Sequence, residues 1–193
     1  MEKKPTSFMK DLWQFLFLLI FIVIPFRMFV AQPFVVSGDS MVPTFENGEY
    51  LIVDQLSYRL SEPQRGDVAI FRYPNDPSKF FIKRIIGLPG ETVTVEDTTV
   101  RISIPGESRP LTLEEPYVND NEFGSVTQTL DLDEFFVMGD NRNISFDSRS
   151  WGALQKEDIV GRAFVRLFPL SHINYLPGSH VFSSEKQDYK VIE

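Results

Sequence analysis

Apolar positions fall into two regimes along this chain. From Leu12 to Phe26, 15 consecutive residues carry no charge and are mostly Leu, Ile, Phe and Val, with no polar face after Phe15. Admitting Arg27 as a side chain that reaches back to an interface extends the run to Ala31, 20 residues in all. A helix rises about 1.5 Å per residue, so this length spans roughly 30 Å, the thickness of a bilayer's hydrocarbon layer. Beyond it the apolar residues come in short runs rich in Val, Ile, Phe and Tyr, at 34–36, 50–55, 68–73, 80–88, 92–95, 100–104, 135–138 and 160–168. Runs of that length and composition predict strands. Residues 92–95 and 100–104 alternate with a period of two on either side of Glu96-Asp97-Thr98-Thr99, which predicts a hairpin with one wet face. Leu88-Pro89-Gly90-Glu91 has Pro and Gly where a type II turn wants them. No long amphipathic helix is visible after residue 31, and residues 155–158 predict one short turn.

Residues 105–133 differ in tone. They hold Pro105, Pro110 and Pro116, many acids and no apolar rhythm, which predicts an insertion or small subdomain outside the core. The tail from Ser171 is polar and is expected at the periphery. The fold class expected is therefore mainly β: twisted antiparallel sheets forming a partly closed β core, preceded by one N-terminal transmembrane helix and carrying a small inserted subdomain. Residues 1–11 read as a cytoplasmic N-terminus, 12–31 as the anchor and 32–193 as an exported domain.

Charge sharpens that reading. The formal net charge is −8, but residues 1–31 carry four basic and two acidic groups, so residues 32–193 carry −10. Lys3, Lys4 and Lys10 ahead of the apolar run favour a cytoplasmic N-terminus. A secretory leader also begins this way, but Ala31 has Phe29 two places before it, so the small-residue cleavage pattern is missing and the segment reads as a retained anchor. An acidic body repels phosphate backbones, so no nucleic-acid partner is expected. The chain has no cysteine, which excludes disulfides, thiolate zinc sites and a cysteine nucleophile.

Three segments hold chemistry-bearing residues. Ser37-Gly38-Asp39-Ser40-Met41-Val42-Pro43-Thr44-Phe45 sets Ser40 on a short loop shaped by Gly38 and Pro43, close after the apolar run. Such a loop can aim a hydroxyl and a backbone N–H at one point, as acyl transfer requires, although serines in Gly- and Pro-rich loops are commonly plain turn residues. His172 and His180 lack a paired acid pattern, and no Gly-x-Ser-x-Gly elbow is present. A Ser-x-x-Lys at Ser7 and Lys10 falls on the cytoplasmic flank, where Lys10 is better read as a topology determinant. In Phe80-Phe81-Ile82-Lys83-Arg84-Ile85-Ile86, alternation puts either Lys83 or Arg84 on an apolar face. A lysine buried there would lose charge and become a usable base, whereas one at the surface would extend to water. The third segment, 138–152, is dense in polar groups straight after a strand. Asp147 and Arg149 can pair there, and a serine can orient a lysine amine.

In this order, and after an apolar N-terminal segment, these segments resemble the type I signal peptidase family. The boxes are Gly-x-Ser-Met-x-Pro-Thr at 38–44, Arg-Gly-Asp-Val at 65–68, Lys-Arg-x-x-Gly-x-Pro-Gly-Glu at 83–91 and Gly-Asp-Asn-x(4)-Ser-x-Asp-Ser-Arg at 139–149. The single anchor and small size are similar to the Gram-positive and cyanobacterial branch. The resemblance implies a membrane-bound serine endopeptidase with Ser40 as nucleophile and Lys83 as general base. It makes Ser145 the hydroxyl that orients the lysine, Asp147 and Arg149 a supporting ion pair, and Asp140 a box member of unsettled role. Some members place a serine two residues before the nucleophile as a second oxyanion donor; here that position is Gly38. Many read Asn-Arg-Asp-Asn-Ser where this chain has Asn-Arg-Asn-Ile-Ser at 141–145. The implied substrates are signal peptides of exported preproteins, bound as extended strands and cut after small residues. Val36, Phe45 and Ile82 are the expected pocket lining. Neither metal nor cofactor is expected, and the implied setting is a cell membrane, or a thylakoid membrane in a cyanobacterium. The competing readings are a self-cleaving Ser–Lys repressor-type protease and a non-catalytic, membrane-tethered β domain that binds extended peptides.

Overall fold

The computed structural model describes residues 8–24, 31–118 and 124–182. Helix α1 (Phe8–Leu18) continues through a wider π-turn (Leu19–Val23) and buries none of its side chains. Among the described residues no helix is long and apolar enough to cross a membrane. Of the expected anchor, residues 25–30 lie outside the described residues, as do residues 1–7 of the segment before it. Ala31, expected to close the anchor, instead opens a strand.

Twelve strands follow among the described residues: β1 (Ala31–Val35), β2 (Tyr50–Asp54), β3 (Val68–Tyr73), β4 (Asp76–Gly87), β5 (Thr92–Glu96), β6 (Thr99–Ser103), β7 (Leu111–Thr112), β8 (Val126–Thr129), β9 (Glu134–Met138), β10 (Leu154–Gln155), β11 (Ile159–Phe168) and β12 (Asn174–Tyr175). All eight predicted strands are among them. The larger sheet runs β1-β2-β11-β3-β4-β9-β10, with β12 added to β11, and the smaller runs β7-β6-β5-β8. Their ladders are antiparallel, as in β3 against β4, where Ala69 faces Lys83 and Val68 faces Arg84. Two four-residue helices, α2 (Ser57–Leu60) and α3 (Ser148–Trp151), interrupt the strands.

The strands β3, β4 and β9 show no polar alternation because both faces of the large sheet are covered. Val68 and Ile70 enter one core with Val36, Met41 and Phe45. Ala69 and Phe71 point the other way and pack with Ile85, Phe135 and Val137. On β9, Phe136 and Met138 join Ile86 against the small sheet, where Val93, Val95, Val100 and Ile102 supply the dry face of the 92–103 hairpin. The predicted turn at Leu88 is closed by Glu91 N–H donating to the Leu88 carbonyl at 3.2 Å.

Two expectations need correcting. Segment 105–133 is not merely an appendage, because β7 and β8 complete the small sheet and Leu113 and Leu130 are buried in its core. Their apolar positions are isolated, so no period betrays them. The tail is not wholly peripheral either: Phe182 is buried in the same core, and the Gly178 carbonyl accepts from Arg84 deep in the large sheet.

Candidate active site

Ser40 sits on the loop between β1 and β2, whose neck is pinned by Val36 N–H to the Glu49 carbonyl and Gly48 N–H to the Val36 carbonyl, both 2.9 Å. Gly38 takes φ +91°, a region that a side chain disfavours, and donates its N–H to Asn47 Oδ1 at 3.0 Å. A tight turn follows, closed by Phe45 N–H to the Met41 carbonyl at 2.9 Å. Met41 and Phe45 bury themselves beneath this turn, which fixes its orientation on the sheet. The Ser40 carbonyl accepts from Asn141 N–H at 3.0 Å. A Cβ at Gly139 would lie 2.4 Å from that carbonyl and 2.2 Å from Ser145 Oγ, so only glycine lets the two loops approach so closely. This brings the first and last sequence boxes together.

Successive positions of β4 point to opposite faces, and since both faces are covered Lys83 and Arg84 are both buried, 4% and 1% exposed. Their charges are handled differently. Arg84 grips Asp140 through two bonds, Nε to Oδ1 at 2.8 Å and Nη2 to Oδ2 at 2.6 Å, and also donates to the carbonyls of Gly66 and Gly178. Burial works against its charge, but Asp140 outweighs it and holds the guanidinium above its ordinary value. Lys83 makes no ion pair among the described residues. Its amine lies 2.7 Å from Ser40 Oγ and 3.0 Å from the Ile82 carbonyl. Burial lowers its pKa to about 8, resisted by the more distant charges of Asp147 and Asp140 and helped by Arg149. An amine so placed can take a proton from the hydroxyl beside it at near-neutral pH.

The loop after β9 supplies the support. Asp147, wholly buried, receives Arg149 Nε at 2.8 Å and Gly139 N–H at 3.0 Å, as the expected ion pair requires. Arg149 also donates to the Arg142 carbonyl at 2.7 Å. Asp140 has a role the sequence left open: besides Arg84, it accepts from the hydroxyl of Thr44 on the Ser40 loop. Arg142 is buried against Glu115 from the inserted segment, Nη1 to Oε2 at 2.8 Å. Ser145 is brought beside Gly139 and Ser40, but its buried Oγ has no hydrogen-bond partner among the described residues. The expected bond from Ser145 to Lys83 is thus not formed in this arrangement.

A cleft of about 330 Å³ opens beside the pair, lined on one side by residues 34–40 and on the other by 80–83, with Ile144 and Phe146 at its rim. Val36 and Ile82 line it as expected. Phe45 does not: it is fully buried in the core under the Arg166 guanidinium, because the turn after Ser40 points it inward. Two backbone edges border the cleft. Among the described residues β1 pairs only with β2, and β9 pairs with β4 only from Arg84 onward, which leaves residues 80–83 without a strand partner on that side. The Ser40 N–H makes no hydrogen bond among the described residues, whereas the Gly38 N–H is occupied by Asn47.

The family model described as signal peptidase, peptidase S26, matches residues 9–168. The chain is 40% identical over 161 residues to signal peptidase I of Leptolyngbya laminosa, covering 78% of this chain and 75% of that one. It is 37% identical over 185 residues to the probable signal peptidase I-1 of a Synechocystis species, covering 92% and 91%. With signal peptidase I P of Bacillus subtilis subsp. natto it shares 31% over 186 residues, covering 90% and 97%.

Proposed function

Since this chain belongs to the signal peptidase family, peptidase S26, and is a serine endopeptidase that removes signal peptides, we propose that Ser40 is its nucleophile and Lys83 its general base. The observation that carries this reading is the 2.7 Å contact between Ser40 Oγ and a buried lysine amine lowered to about 8. The family membership sets aside a non-catalytic peptide-binding domain.

In the productive state the amine is neutral: the Ser40 hydroxyl donates to it, while the amine donates to the Ile82 carbonyl. As Oγ attacks the scissile carbonyl, Lys83 takes the proton and the Ser40 N–H faces the forming oxyanion. The ammonium then gives its proton to the departing amine, leaving an acyl-enzyme. The restored amine activates water for hydrolysis. Ser145, unpartnered beside the pair, is the hydroxyl we assign to orienting the Lys83 amine. Asp147 and Arg149 hold its loop.

The substrate enters as an extended strand between the open edges of β1 and β4, a mode in which main-chain hydrogen bonds give affinity and side-chain pockets give specificity. Val36 and Ile82, with Ile144 at the rim, leave room for small side chains near the bond to be cut. The apolar segment 12–30, ending before β1, holds the enzyme in the membrane, with residues 1–11 in the cytoplasm and the β domain on the far side beside the exported end of the signal peptide. Ser40→Ala and Lys83→Ala should each abolish preprotein cleavage while leaving circular dichroism unchanged. Cleavage retained by either variant would overturn the dyad.

A further inference from the structure

The loop that carries Ser40 is held at its far end by a residue outside all four sequence boxes. Arg166, on β11, donates from Nη2 to the Thr44 carbonyl at 2.6 Å. Its Nη1 lies 3.1 Å from Glu49 Oε1, and its guanidinium carbon sits 4.8 Å above the centre of the Phe45 ring. Both side chains are largely removed from water, 12% exposed for Arg166 and 4% for Glu49. Glu49 also belongs to the neck of the loop, since its carbonyl accepts from Val36 N–H.

Thr44 is therefore gripped twice. Its hydroxyl donates to Asp140, from the loop after β9, and its carbonyl accepts from Arg166, from β11. Ser40 and Thr44 lie on overlapping turns, one closed by Val42 N–H to the Asp39 carbonyl at 3.2 Å and the next by Phe45 N–H to the Met41 carbonyl at 2.9 Å. A displacement of Thr44 therefore passes directly to Ser40. Asp140 and Arg84 fix that turn against the strand bearing Lys83, while Arg166 and Glu49 fix it against β11 and the neck. A hydroxyl and an amine meeting at 2.7 Å across 43 residues of sequence need the turn clamped on both sides.

We propose that Arg166, braced by Glu49, is a positioning residue for the nucleophile: it holds the 40–45 turn through the Thr44 carbonyl so that Ser40 meets the Lys83 amine. The proposal rests on the assignment of Ser40 and Lys83 as the reacting pair. Arg166 touches neither, and the cleft is lined without it, so its loss should spare substrate binding. Misplacing a reacting group by about 1 Å can cost on the order of a hundredfold in rate.

The test uses the full-length chain in detergent, cleaving a preprotein, with kcat expressed per folded molecule. Arg166→Met keeps packing over Phe45 but removes the donors. It should lower kcat about ten- to a hundredfold and leave KM within about twofold. The midpoint of kcat/KM against pH should also move, because the Lys83 amine loses the Ser40 hydroxyl beside it while the distant charges of Asp147, Asp140 and Arg149 stay in place. Arg166→Lys, which keeps a donor, should recover most of the rate. A merely structural role would lower the melting temperature and leave kcat per folded molecule and the midpoint alone; that result overturns the proposal. If Arg166→Met does not fold, Glu49→Gln is the milder probe, expected to lower kcat about two- to fivefold with KM intact as the brace weakens, and an unchanged kcat there overturns it too. Ser40→Ala run alongside separates the two claims. Cleavage surviving in Ser40→Ala refutes the nucleophile assignment itself, whereas a dead Ser40→Ala beside a wild-type Arg166→Met refutes the positioning role alone.

Discussion

Lys83→Met removes the amine while keeping a side chain of similar length against Phe81, whose ring centre lies 5.4 Å from Nζ. The free-energy consequence follows from burial. In the folded chain the amine is lowered from 10.5 to about 8 because its charged form is desolvated. Below about pH 8 it is protonated in folded and unfolded chains alike, and folding must bury that charge. Above about 10.5 it is neutral in both states and the penalty is gone. Between these limits the unfolded chain holds one more proton, so wild-type stability rises with pH. A displacement from 10.5 to about 8 corresponds to about 3 kcal/mol, at about 1.4 kcal/mol per pH unit. Losing the contact to Ser40 costs the variant about 1 kcal/mol at every pH, and this constant cancels in a comparison between pH values. Urea unfolding of both proteins in one detergent, at pH 7 and pH 10, reads the effect. The inactive variant should be the more stable at pH 7 by about 2 kcal/mol and should lose most of that advantage by pH 10. A stability difference that does not vary with pH would refute the claim that residue 83 carries a buried, unpaired amine.

Other outcomes follow from the same geometry. Asp140→Asn strands the buried Arg84 charge and releases Thr44, and should cost about 3–5 kcal/mol in denaturant unfolding. Ser145→Ala removes a hydroxyl with no partner among the described residues, so stability should stay within about 1 kcal/mol while kcat falls at least about tenfold. Phe45→Ala should destabilise by about 3–5 kcal/mol without altering which residues are accepted at the cleavage site. Ile82→Ala, half-buried at the cleft, should do the reverse, admitting larger side chains in a competition assay with preproteins of varied cleavage sites.

The sequence and the structure agree where signals are local. Strand runs such as 92–95 and 100–104 carry their own period, and the turn at Leu88 is written in Pro89 and Gly90. Lys83 was legible as a candidate because an isolated lysine among Phe and Ile is conspicuous. Which of Lys83 and Arg84 would be buried was not decided by alternation, and the answer is both, since the sheet is covered on each face. What separates them is Asp140, 56 residues away, which neutralises one and leaves the other bare. No periodicity reports a partner at that distance. The same holds for Thr44 with Asp140 and for Arg166 with Thr44, which lie 96 and 122 residues apart. Phe45 departs from expectation for a related reason: residues 34–40 before it line the cleft, but the turn closed at Met41 directs it into the core.

The central claim is that the Lys83 amine is uncharged when it meets Ser40. Following the Lys83 side chain by nuclear magnetic resonance across pH 6 to 11, in detergent-held enzyme with labelled lysine and Lys83→Met to identify the signal, tests it without recourse to activity. A titration midpoint near 8, coincident with the rise of kcat/KM for preprotein cleavage, is the expected result. A midpoint at or above about 10, the ordinary value for lysine, would contradict the account.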